Sequence, residues 1–172
     1  YAWDIGYPAL TMDVKSAEAF ITGALFRLEN PFGPVKTIEA GLYYNAITHI
    51  MDDSHRSNTI KMDMPGWTKT GGANLSTFLQ WGDLKVNTKL ESVFTTERAE
   101  MTMYAPNAAP MFMLTWPDIR KSEYTASLGG EKMIGKNTKI LAGVWGAYNS
   151  SSIEDKLGLG EIKVFYPDFK GI

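Results

Sequence analysis

No cysteine occurs in the 172 residues. That removes disulfide staples, thiolate metal sites and thiol nucleophiles together. Charge of one sign is also lacking: 17 Lys and Arg face 19 Asp and Glu, for a net charge of -2. The basic residues are scattered singly, so neither nucleic-acid binding nor attraction to anionic lipid is expected. No run of about 18 apolar residues is present, which excludes a transmembrane helix and leads to the expectation of no membrane insertion. No Gly-x-Ser-x-Gly elbow and no phosphate-binding loop appear. No cofactor is expected.

What the chain does contain is alternation. In Thr59-Ile60-Lys61-Met62-Asp63-Met64 every second residue is apolar, the pattern of a strand with one face on a core. Val86, Leu90 and Phe94 share one parity, with Asn87, Lys89 and Glu91 on the other. Residues 99–104 alternate through Met101 and Met103, and Thr96-Glu97-Arg98 between the two runs suggests a hairpin. Further strands are expected over 42–51, 75–81, 111–116, 122–128, 140–148 and 161–166. Separating turns are read at 30–34, Pro65-Gly66, Gly71-Gly72, 81–83, 116–118 and Gly129-Gly130. Residues 16–29 fit a strand or a helix about equally.

The resulting expectation is one all-β, mainly antiparallel domain spanning 1–172. It would be a calycin-like barrel or a β-sandwich, with room for one short helix near 16–29.

Three sets of residues carry chemical potential. Glu39 and Glu100 sit beside apolar strand positions, where a carboxyl inside a barrel could carry a raised pKa and move a proton. His49, Asp52 and His55 offer imidazole and carboxylate within one strand end and turn, a donor set suited to zinc, iron or manganese. Methionine is concentrated at Met51, Met62, Met64, Met101, Met103, Met111 and Met113. A barrel interior with Tyr43, Met62, Phe94, Met101, Met103 and Trp145 on its wall would accept an apolar or flat molecule.

The ending Glu161-Ile162-Lys163-Val164-Phe165-Tyr166-Pro167-Asp168-Phe169-Lys170-Gly171-Ile172 resembles the last strand of the allene oxide cyclase family. The glycine-containing strand over 142–148 resembles one in that family and in the dirigent proteins. The resemblance implies an eight-stranded barrel with an apolar cavity.

Two functions follow as expectations. The first is binding of an apolar small molecule in a barrel cavity, as a carrier or a cyclase- or isomerase-type enzyme. The second is an assembly subunit or a carbohydrate-binding sandwich, in which exposed aromatics and edge strands engage neighbours, including further copies of the chain.

Overall fold

The computed structural model describes residues 1–5, 12–135 and 137–154. Among these residues the protein is all-β and antiparallel, with no helix. Seven strands form one sheet in the order of the chain: β1 (Ala2–Ile5), β2 (Asp13–Phe32), β3 (Val35–Asp52), β4 (Lys61–Trp81), β5 (Leu84–Tyr104), β6 (Met111–Ile134) and β7 (Thr138–Ile153). Every neighbouring pair is antiparallel. Among the described residues the sheet does not close on itself.

Strand length is the main departure from the sequence reading. β4 and β5 each run 21 residues and β6 runs 24, against about 5–6 for a common globular strand. Most of the expected turns are therefore strand interior. Thr96-Glu97-Arg98 is not a hairpin, because β5 continues through it with register shifts against β6. Arg98 donates to Glu100 at 2.8 Å and also reaches Asp118, which sits at φ 46° in β6. Pro65-Gly66 lies within β4; Pro65 pairs with Ile50 of β3, and the β5 ladder skips Met64 and Pro65, where the proline has no N–H to donate. Gly71-Gly72 and Gly129-Gly130 are paired on both sides. Residues 16–29 are strand, hydrogen-bonded to β3 along their length. The expected strand over 161–166, which carries the family resemblance, lies outside the described residues.

The two ends of the sheet differ. At one end β2–β3 and β4–β5 join through two-residue turns, where Gly33 and Gly82 take positive φ of 51° and 56°. At the other end the links are longer, over 53–60 and 105–110. Most of the buried residues collect at this second end, although Val35 beside a tight turn is also buried. Met12, Val14 and Leu114 are buried with Asp52, Asp53 and Pro117.

Elsewhere there is no core in the usual sense. Leu25, Leu42, Leu90, Val144 and Trp145 are among many large apolar side chains that stand exposed. A single sheet layer has nothing to bury them against.

Candidate functional site: two faces of one sheet

Residues opposite one another in an antiparallel ladder point to the same side, and side chains alternate along each strand. The register therefore sorts every strand residue onto one of two faces. Phe20, Ala24, Phe26 and Leu28 on β2 pair with Ala46, Leu42, Ala40 and Ile38 on β3. Ala40 and Leu42 pair with Leu75 and Ala73 on β4, and these with Leu90 and Ser92 on β5. The row continues through Ala126 and Tyr124 on β6 to Gly146 and Tyr148 on β7. This is the apolar face. Across the positions from Leu28 to Phe20, Ile38 to Ala46, Leu79 to Gly71 and Val86 to Phe94, it holds not one charged residue. The same is true from Gly130 to Ser122 and from Ala142 to Ser150.

Aromatic side chains border this band. Phe20, Tyr44, Phe94, Tyr124 and Tyr148 run across five strands near one level. Phe20–Tyr44, Phe94–Tyr124 and Tyr124–Tyr148 have ring centroids 6.4, 5.7 and 6.4 Å apart. Towards the tight turns the band ends at Phe32 and Trp81, 66% and 49% exposed. Beyond the first row the same face becomes charged, with Lys69, Arg98 and Arg120. From Val86 to Phe94 the strand covers about 27 Å, or ~20 Å of height at a tilt of about 40°, and the next row towards the tight turns holds Lys132 opposite Leu84. Thr77 and Thr88 lie inside the band but satisfy one another at 2.8 Å.

The opposite face is polar. Its ion pairs cross from strand to strand: Arg27–Glu39 at 3.1 Å, Lys85–Glu131 at 3.0 Å and Lys121–Glu97 at 2.8 Å. Lys85 and Lys139 together hold the Glu131 carboxyl below its ordinary range. Thr70 and Thr95 hydrogen-bond at 3.2 Å. Glycines give polar side chains room to lie flat: Asn74 covers Gly41 and Asn87 covers Gly129.

The candidate residues fall into place on this frame. Tyr43, Met62, Met101, Met103 and Trp145 are on the polar face, while Phe94 is on the apolar face, so the six do not share one wall. The difference is parity: Phe94 lies an odd number of residues from Met101 and Met103. An apolar hollow of about 600 Å³ does exist, between Leu75, Leu90, Tyr124, Ala126 and Tyr148. It is an open trough on the apolar face, and none of the six lines it.

Glu39 is engaged by Arg27 and Glu100 by Arg98 at 2.8 Å. His49, Asp52 and His55 are not gathered. His49 and Asp52 point to opposite faces, and Asp52 is tied to Lys15 at 3.3 Å and to the Ser54 hydroxyl at 3.0 Å. Among the described residues no group of three His, Cys, Asp or Glu could hold a metal ion.

Sequence reasoning missed the aromatic row of Phe20, Tyr44, Tyr124 and Tyr148. The signal was present in the parity of each strand, but it is visible only when strands of about 20 residues are placed in register.

No protein-family model and no curated protein matches the sequence. A solved structure described as the copper transporter OprC is similar in fold, with a TM-score of 0.72 at 19% sequence identity. The match covers 85% of this chain and 24% of that one, so the chain spans about a quarter of the length of the structure it resembles.

Proposed function

We propose that this chain is a section of the wall of an outer-membrane-type β-barrel that passes a solute across the membrane. The observation that carries the reading is the band free of charge, bordered on both sides by aromatics and backed by a polar face. In water such a face would be a liability for aggregation. In a bilayer it is the required design, because lipid-facing side chains must be apolar while lumen-facing ones meet water. The charge-free height of ~20 Å, with its aromatic borders added, approaches the apolar band of about 25 Å in transmembrane barrels. Tyr, Phe and Trp sit where headgroups meet acyl chains.

The unclosed sheet supports the same reading. A bilayer offers no water to an unpaired strand edge, so a spanning sheet must close into a ring with further strands. Tight turns at one end and longer links at the other match periplasmic and extracellular sides respectively. A transport role is supported by the likeness to a copper transporter, and by the charged, hydrated face the wall would present to a lumen. This reading replaces the expectations of an apolar ligand chamber and of a chain that stays out of membranes. Insertion through strands needs no apolar helix, and among the described residues no helix is long and apolar enough to cross a membrane.

Reconstitution tests the proposal. The protein is expected to insert into phosphatidylcholine vesicles, to resist carbonate extraction, and to show heat-modifiable mobility on a denaturing gel. A protein that remains soluble and is washed from the vesicles would overturn it.

A further inference from the structure

Seven of the nine methionines fall on the polar face at the end with the longer links. Met51 on β3 stands opposite Met64 on β4. Met62 on β4 stands opposite Met103 on β5, which stands opposite Met111 on β6. One step along, Met101 on β5 is opposite Met113 on β6. The thioethers thus form two adjoining rows across four strands, on a face otherwise rich in charge. They are not core filling. Six are half-buried, and Met111 is 52% exposed.

We infer that these rows are a binding site for a soft monovalent cation, Cu(I) or Ag(I). Thioether sulfur is neutral and polarisable, and it selects soft monovalent ions over magnesium, calcium or zinc. Opposite residues have Cα atoms about 4.5–5.5 Å apart. Unbranched methionine side chains from neighbouring strands can therefore converge on one ion without backbone movement. His49 lies on the same face two residues before Met51, and with Met64 and Trp67 lines a hollow of about 290 Å³. It adds an imidazole that Cu(I) and Ag(I) also accept. The absence of any three-member His and carboxylate group among the described residues leaves harder ions without a competing cage.

The site depends on strand register and not on the membrane reading. Silver binding by a protein that failed to insert into vesicles would support it while overturning only the barrel.

The test uses Ag(I) as the probe, in chloride-free buffer, with the purified protein in detergent and its methionine methyl groups labelled with carbon-13. Saturable binding is expected by calorimetry, with methyl shifts at Met62, Met103 and Met111. The M62L/M103L/M111L variant conserves volume and should lose affinity by at least about tenfold. Should that variant fail to fold, Met103→Leu alone, at the centre of its row, should weaken binding. Met133→Leu, near the tight-turn end, should not. Zn(II) should leave the methyl signals unmoved. Absence of saturable Ag(I) binding, or unchanged affinity in Met103→Leu and the triple variant, would overturn the proposal.

Discussion

The Tyr43 ring on β3 lies flat over Gly72 on β4, where a Cβ would overlap it. The two residues are cross-strand partners on the polar face. A bulky ring fits between neighbouring strands here only because its partner has no side chain.

Gly72→Ala should therefore displace the ring and lose the cross-strand contact. The expected cost is about 0.2–1 kcal/mol, the scale of such pairs. Equilibrium unfolding in detergent would measure it, and Tyr43→Ala in the Gly72→Ala background should add little.

The two faces should respond oppositely to a new charge. Leu90 sits at mid-band, between Leu75 and Ala126. Leu90→Arg should cost about 2–4 kcal/mol in a bilayer, as midplane lipid-facing arginines do. Ser127→Arg, on the polar face between Lys89 and Trp145, should stay within about 0.5 kcal/mol of the parent. Guanidinium titration of folding into vesicles separates the two.

Asp53 is fully buried where β3 leaves the sheet. Its carboxylate accepts from the Met62 backbone N–H and from Asn58 Nδ2, each at 2.8 Å. Asp53→Ala would leave that N–H unpaired, at a cost of about 1–3 kcal/mol. Faster amide exchange and protease cleavage over 53–60 are the expected readouts, with the strands unaffected.

Acid should loosen the same end. Burial works against the charge of Asp52. The hydroxyl and N–H of Ser54, together with Lys15, outweigh that burial and hold the carboxyl below its ordinary value of 3.8. A depressed carboxylate contributes stability above the unfolded pKa and loses it as pH falls through the folded one. The tie from β2 to Asp52 should thus persist at neutral pH and fail below about pH 3.8. Lys15 is 63% exposed, so salt should weaken its share. Amide exchange near Asp13 and Asp52 against pH, with and without Lys15→Met, would show this.

The strand character of the chain was legible because parity is local. Ile60, Met62 and Met64 need no partner to reveal alternation. Strand length was not legible. Pro65-Gly66, Gly71-Gly72 and Gly129-Gly130 carry the composition of turns, and only cross-strand pairing shows that they are interior. The sense of the alternation was also hidden. Leu90 and Phe94 look like a core face, because apolar residues facing lipid and apolar residues facing a core follow the same period. What distinguishes them is the polar face behind, where Lys85–Glu131 and Arg27–Glu39 cross between strands, and the aromatic border from Phe20 to Tyr148. Both are properties of register. The methionine concentration was visible in sequence, yet its arrangement in two rows required the pairing of Met62, Met103 and Met111.

The absence of native cysteine makes the orientation of the sheet directly measurable. Single cysteines placed at each position from 86 to 96 on β5 would carry nitroxide labels in the vesicle-bound protein. Collision rates with oxygen, which concentrates in lipid, and with a water-soluble nickel chelate would then be recorded. Labels at Val86, Thr88, Leu90, Ser92 and Phe94 should favour oxygen, and labels at Asn87, Lys89, Glu91, Val93 and Thr95 the chelate, with a period of two. Equal access to the chelate at both parities, or lipid exposure of the odd positions, would contradict a wall with one side in the bilayer.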